Sequence, residues 1–320
     1  MPQFPRNLFE FGQMFSSEEA CVEYLIQTRW PDGFHCPGCP SSKFHWFKDR
    51  NAFKCYECGE WVYLTQGTVM EKSRTPICKW FLGAYLMTTL TPGISAVQFQ
   101  RQVGLTRYET AFQILHKLRS AMVRPERGQL SGAVEVDESF VGGAREGTRG
   151  RGAEGKAIVV GAVEVIPTSR GTRAGRVRLQ EIGDASQETL VPFIMDCVEP
   201  GTIVRTDGWL GYTNLPQMGY RHEIVEGEDS TEVAEQLVHI HRVFSNLKSW
   251  LIGTHHGVSE KHLQAYLNEL VFRFNRRANP MAAFNAILGL ASHFEAPTYE
   301  ELYAAGEAGG WVHPNPGGNQ

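Results

Sequence analysis

Two Cys-x-x-Cys knuckles, Cys36-Pro-Gly-Cys39 and Cys55-Tyr-Glu-Cys58, constrain this chain more than any other feature of its sequence. They stand about fifteen residues apart, and each tight turn aims two sulfurs at one point, so four thiolates form the soft, tetrahedral set that Zn²⁺ favours. Residues 31–70 are therefore expected to fold as a small zinc ribbon, held by Cys36, Cys39, Cys55 and Cys58. The other three cysteines, Cys21, Cys78 and Cys197, fall in expected helices. They read as reduced thiols behaving as small buried hydrophobes, not as a disulfide framework.

At 320 residues, 42% hydrophobic and 21% charged, the chain has the balance of a soluble globular protein and room for two or three domains. No basic-then-apolar leader opens it, and no apolar run approaches the ~18 residues that span a bilayer. The expectation is a cytoplasmic protein with no membrane partner, nucleoid-associated in a prokaryote. A net charge of −4 argues against a uniformly basic nucleic-acid binder, but the distribution is uneven. Arg101, Arg107, Lys117, Arg119, Arg124 and Arg127 meet only Glu109 and Glu126 in one stretch, while acid collects between Glu223 and Glu235. The amino-terminal half can serve as a docking surface for phosphate.

Residues 1–30 form an expected N-terminal helical segment: Ser16 and Glu19 make a capping-box pattern, and Cys21, Tyr24, Leu25 and Ile26 give an apolar stripe stopped by Trp30-Pro31. Between and after the knuckles, Phe44, Trp46, Phe47, Phe53, Trp61, Tyr63 and Leu64 predict short strands. In so small a module these aromatics supply the core or stack on bases. A helical segment over 71–127 follows. Ile77–Leu90 is one helix, and Ser95–Val103, a Gly104-Leu105-Thr106 turn with Thr106 as N-cap, and Arg107–Val123 make a second motif. That is helix-turn-helix order, suited to a major groove, although a plain helical hairpin reads the same way. Pro125–Gly132 is the expected domain boundary.

Beyond it the pattern changes to strands, with alternation along Ala133–Val141 and Arg176–Ile182 and an apolar run over Ala157–Val165. Ala133–Val141, Ala157–Val165 and Arg176–Ile182 predict three strands, Ser186–Val198 a helix, and Ile203–Thr206 a strand ending at Asp207. Helices over His241–Ile252 and Ser259–Arg277 complete a domain of residues 131–295, with a C-terminal tail over 296–320. Side chains alternate along Val134–Ser139, so Glu135, Asp137 and Ser139 share one face. If the fourth strand lies beside the first, Asp137 and Asp207 meet at one sheet edge, where their repulsion calls for bound cations. Hard carboxylate oxygens suit Mg²⁺, and a metal pair suits phosphodiester chemistry.

Val-Glu-Val-Asp-Glu-Ser-Phe-Val-Gly-Gly from Val134, Arg-Thr-Asp-Gly-Trp-Leu-Gly-Tyr from Arg205 and His-Arg-Val-Phe-Ser-Asn-Leu-Lys from His241 carry a family likeness. So do Thr254–Ser259 and Tyr266–Glu269 running into Arg273–Arg277. Across roughly Glu18 to Leu290 the chain resembles insertion-sequence transposases of the ISXO-like group. The resemblance implies an α/β fold with an RNase H-like mixed sheet flanked by helices, preceded by the zinc ribbon and the helix-turn-helix-like segment. It implies a DDE-type transposase using Mg²⁺ or Mn²⁺, with terminal inverted repeats and target DNA as partners. Synapsis of two DNA ends implies a homodimer or higher oligomer.

The usual third acid of that family is replaced here. Lys248 stands seven residues past His241 on one helical flank, so His241 occupies the place of the glutamate, and imidazole suits Mn²⁺. His241 can ligate a metal, bond to a metal-bound water or take a proton; as a plain helix-face residue it bonds phosphate. Asn246, Glu135 and Glu269 are the other candidates for that place. Asn246 falls on the opposite flank, and Glu269 reads in the first place as an ion-pair partner of Arg273 and Arg276. Lys248 would meet a phosphate oxygen. Arg107, Lys117, Arg145, Arg149, Arg151, Lys248, Arg273 and Arg276 are the candidate DNA contacts, three of them in a Gly-rich insert over Gly142–Lys156. Two other functions fit the residues: a zinc-ribbon DNA-binding regulator derived from an inactive transposase, and a metal nuclease without strand transfer.

Overall fold

The computed structural model describes residues 4–123, 127–142, 157–225, 227, 232, 235–293 and 302. They fall into two compact units: one holds the described residues up to Val123 and again from Arg276, the other those from Arg127 to Asn275.

In the first unit, α1 (Leu8–Met14) and α2 (Glu18–Arg29) open the chain, capped by Asn7 and Ser17. Ser17 takes the cap expected of Ser16, and the adjacent Glu18 reaches instead to another helix. Its carboxylate accepts the Ile77 and Cys78 amides at 2.6 and 3.1 Å. These are the first amides of α3 (Ile77–Thr89), whose own N-cap, Pro76, has no side chain to offer. The crossing of α2 and α3 also brings Cys21 and Cys78 into a disulfide with Cα atoms 5.6 Å apart, which corrects the expectation of reduced thiols there. Helical periodicity places each cysteine on its own helix but does not reveal that the two helices cross at that point.

The ribbon is an antiparallel sheet of β1 (Phe44–Phe47), β2 (Ala52–Cys55) and β3 (Trp61–Tyr63). Phe34, Phe53 and Val62 pack with Cys36 and Cys55, flanked by Trp30 and Trp46, so these aromatics form its core. Next come α4 (Ala96–Val103) and α5 (Tyr108–Ser120), joined through left-handed Gly104 at φ 62°. Arg107, not Thr106, is the N-cap of α5. Phe99, Ile114, Leu115 and Leu118 are buried, and a Cβ at Gly83 of α3 would stand 3.0 Å from the Phe99 ring, so these three helices pack closely. One further helix, labelled α9 (Pro280–Ala291), belongs to this unit: Phe284 meets Phe11, Phe15 and Tyr85 with ring centroids 5.6 to 6.0 Å apart. Sequence reading missed α9, although Asn279 caps it and Pro280 begins it, the usual start signal.

The second unit is a five-stranded mixed sheet in the order β6-β5-β4-β7-β8. Its strands are β4 (Ala133–Val141), β5 (Ala157–Thr168), β6 (Gly171–Ile182), β7 (Ile203–Thr206) and β8 (Arg221–Ile224). The first three form an antiparallel meander, and β7 and β8 add in parallel beyond β4. This is the RNase H-like arrangement, with β8 an element the sequence did not announce. One face of the sheet, through Val134, Val136, Val160 and Ala162, buries α6 (Gln187–Cys197). The other, through Val159, Val163, Val177 and Leu179, buries α7 (Val238–His255) and α8 (Glu260–Phe274). Side chains of α8 satisfy the open edge of β6: Asn275, just past its end, exchanges two hydrogen bonds with the Val177 backbone, and Gln264 accepts from the Glu181 amide. Among the described residues no helix is long and apolar enough to cross a membrane.

Candidate active site

Two parallel strands set the site. β4 and β7 pair in the register Ala133↔Ile203, Val134↔Val204, Glu135↔Arg205. Continuing that offset brings Asp207, one residue past β7, level with Asp137, on strands about 4.8 Å apart. Each carboxylate is held locally. Asp137 Oδ1 accepts the Glu138 amide at 2.8 Å, and Asp207 Oδ1 accepts the Trp209 amide at 3.1 Å in an Asx-type turn. Trp209 is itself fixed, its indole donating to the Ala185 carbonyl at 2.7 Å.

The face of β4 that carries Glu135, Asp137 and Ser139 lies against α7, and each of the three meets it. Glu135 Oε2 accepts the His239 and Ile240 amides at 2.8 and 2.9 Å. His241 Nε2 stands 3.4 Å from Asp137 Oδ2. Lys248 Nζ donates to Ser139 Oγ at 2.8 Å. His241 and Lys248, seven residues apart on one flank of α7, thus meet Asp137 and Ser139, two residues apart on one face of β4. Asn246 is exposed on α7. On the opposite face of β4, Glu138 accepts from the buried Tyr212 hydroxyl at 2.7 Å.

Electrostatics favour a cation here. Burial, then the nearby Glu138 and Asp207 carboxylates, push the Asp137 carboxyl up to about 7, against the pull of the Glu138 amide and Lys248. Burial and the charge of Lys248 hold the His241 imidazole below its ordinary value, although Asp207 opposes this. The site therefore presents hard oxygens whose charge is under-compensated, beside an imidazole whose charged form is disfavoured. That donor set fits a divalent ion.

The four knuckle sulfurs converge in the first unit, all within 4.8 Å of one another. Cys36 to Cys58 is 3.5 Å and Cys39 to Cys55 is 3.6 Å, close to the ~3.8 Å edge of a tetrahedron with ~2.3 Å zinc–sulfur bonds. The backbone amides of Cys58 and Glu57 draw the Cys55 thiol down to about 6, while neighbouring sulfurs and burial push Cys58 up to about 12, as four thiols crowded round one point divide their charge unevenly. The residues fit one structural zinc ion.

Residues 129–275 match the ISXO2-like transposase domain, and residues 16–60 match the transposase zinc-ribbon domain. The chain belongs to the ISXO2-like transposases. It is 29% identical over 289 residues to an uncharacterized protein in transposable element ISH50 of Halobacterium salinarum, covering 81% of this chain and 91% of that relative. Among solved structures it is similar to a chain of the simian T-cell lymphotropic virus intasome in complex with PP2A regulatory subunit B56 gamma. That similarity has a TM-score of 0.29 at 16% identity, over 52% of this transposase and 63% of the other chain, less than two thirds of its length.

The remaining candidates of this transposase are scattered. Glu269 is fully buried and accepts from Arg273 Nη1 at 3.4 Å, while the Arg273 guanidinium lies 5.7 Å from the centre of the Trp250 ring. Both serve the packing of α7 on α8. Arg276 is half-buried where the chain returns to the first unit. Arg107 is exposed at the start of α5, and Lys117 is half-buried with Nζ 3.4 Å from the Glu71 carbonyl. Arg145, Arg149 and Arg151 lie outside the described residues. Two residues near the carboxylates escaped sequence reading, Tyr212 and Gly161. The first stands in the quoted Gly-Trp-Leu-Gly-Tyr stretch. Gly161 pairs with Asp137 in the ladder, and a Cβ there would lie 2.7 Å from Ile240 of α7, so its missing side chain lets α7 approach the sheet.

Proposed function

We propose that this transposase is an active DDE-type enzyme that cleaves DNA at element ends and joins the freed ends to target DNA. The observation that carries the reading is the parallel register of β4 and β7, whose continuation brings Asp207, just past the end of β7, level with Asp137, with the His241 imidazole against the latter. Asp137, Asp207 and His241 would hold Mg²⁺ or Mn²⁺, and divalent ions supply Lewis-acid stabilisation of the attacking and leaving oxygens of a phosphodiester. His241, neutral near pH 7 by its burial and by Lys248, accepts through a ring nitrogen where the family places a carboxylate. Lys248, exposed and anchored to Ser139, offers its ammonium to a phosphate oxygen as a point charge. Water attacks at the element end first; the released 3′-hydroxyl then attacks target DNA, with no covalent protein intermediate. The zinc ribbon and the α4–α5 pair, with Arg107 at the start of α5, bind the terminal inverted repeats, and two ends require a homodimer or higher oligomer.

Purified protein, labelled end DNA and Mn²⁺ test this. Joined products are expected, while Asp137→Asn and Asp207→Asn abolish cleavage and leave end binding nearly intact. A band shift without cutting would indicate a regulator, and cutting without joining a nuclease. Cleavage that survives in both variants removes the assignment of the two aspartates.

A further inference from the structure

The start of α7 is unusual for a helix that carries a site residue. Its N-cap position is Leu237, fully buried in the core, with no side-chain hydrogen bond to the first turn. Amides in the first turn of a helix have no partner inside it, and leaving them unpaired in a core is costly. Glu135 supplies the missing acceptor from a strand more than a hundred residues away: one oxygen, Oε2, takes both the His239 and Ile240 amides. At 2% exposure this carboxylate is itself out of water, so strand and helix satisfy each other. The residue after those two amides is His241, and the residue two beyond Glu135 on the same strand face is Asp137. A slide of α7 along β4 would strain the Glu135 bonds and shift His241 against Asp137 together. The side chain of His239, bonded through Nε2 to Thr172 Oγ1 at 2.8 Å, fixes the same turn from β6.

We propose that Glu135 is a positioning residue: it acts as the cap of α7 and thereby sets the height of His241 opposite Asp137, instead of binding a metal itself. This rests on the transposase reading for its functional consequence, not for its structural one. Because a single oxygen accepts both amides, glutamine can reproduce the arrangement and alanine cannot.

Three measurements on the full chain test it: hydrogen exchange of the α7 amino terminus, Mn²⁺ affinity by electron paramagnetic resonance, and end cleavage split into kcat and KM. In Glu135→Gln, exchange and Mn²⁺ affinity should stay within about threefold of wild type, with KM for end DNA unchanged. In Glu135→Ala, exchange of the His239 and Ile240 amides should speed up about tenfold, the loss of a cap worth about 1.4 kcal/mol. Its kcat should fall with KM unmoved. Glu135→Gln losing Mn²⁺ binding as completely as Asp137→Asn would overturn the proposal, since the carboxylate would then be a ligand. Unchanged exchange in Glu135→Ala would overturn it as well. If Glu135→Ala does not fold, the Mn²⁺ titration of Glu135→Gln decides. Exchange and metal affinity need no cleavage, so a wild-type protein that cuts no DNA counts against the enzymatic reading and leaves this one to stand or fall separately.

Discussion

Replacing Gly161 by alanine should lift α7 from the sheet at the point where it carries His241. The added Cβ would lie 2.7 Å from Cδ1 of Ile240, 2.9 Å from Cδ2 of Leu179 and 3.1 Å from Cζ of Phe244. Carbon atoms rest about 3.5–4.0 Å apart, so Ile240 must yield by about 1 Å. Ile240, Leu179 and Phe244 are all buried, which leaves their tips no solvent to swing into. Overpacking of this kind costs about 1–3 kcal/mol, offset by about 0.4–1 kcal/mol for restricting the unfolded chain. A domain of this size loses about 2–4 °C in Tm per kcal/mol, so thermal unfolding should fall by up to about 10 °C. His241 follows Ile240, and a misplacement near 1 Å is expected to slow cleavage about a hundredfold without weakening end binding. Gly183→Ala, which meets nothing within 4 Å, is the control and should change Tm by no more than about 2 °C. Wild-type Tm and wild-type cleavage in Gly161→Ala would refute the claim that close packing of α7 sets the site.

Stripping zinc with a chelator, or Cys36→Ser, should unfold the ribbon, read as release of one equivalent of zinc in a colorimetric assay and loss of end binding; cooperative ribbon unfolding insensitive to chelator would contradict the four-sulfur site. Glu164 is pushed up by burial, but Arg176, at 2.6 Å, and the Arg176 and Ser131 amides outweigh this and hold it below its ordinary value. A depressed folded pKa means stability that is present above pH ~4.5 and lost as pH falls through the folded value. Glu164→Gln should therefore cost about 1–3 kcal/mol in urea unfolding at pH 7 and show a smaller deficit at pH 3; a deficit that does not shrink with acid would contradict the pairing. Ending the chain at Asn275 should lower the Tm of the first unit, because Phe11, Phe15 and Tyr85 lose Phe284. An unchanged transition would show that α9 is dispensable there.

Much of the second unit could be read from residues because its signals are local. Alternation announced β4 and β6 and an apolar run β5, and the alternation along Val134–Ser139 put Glu135, Asp137 and Ser139 on one face, which the structure turns toward α7. The zinc ribbon was legible for the same reason, since knuckle spacing alone brings the sulfurs together. What stayed hidden depends on contacts between distant segments. β8 is a four-residue strand with one buried or half-buried side chain, His222, among exposed neighbours, so it carries no apolar pattern of its own. Glu135 looked like a spare ligand because nothing in its neighbourhood reveals the uncapped helix it serves. Glu269 was correctly given an ion-pair alternative by its spacing to Arg273, but its full burial was not readable from periodicity. The Cys21–Cys78 bond depends on a helix crossing that no single-segment pattern encodes.

The return of α9 to the first unit has a consequence for synthesis. A ribosome completes the zinc ribbon and α3 through α5 long before it reaches Phe284, so the aromatic cluster beneath α3 must wait, uncovered, until the whole nuclease-like sheet has emerged. Nascent chains interrupted inside that sheet would carry a first unit lacking its last helix. If the first unit reads element ends as proposed above, end recognition would be tied to a fully translated chain, and prematurely terminated copies would be poor competitors for those ends.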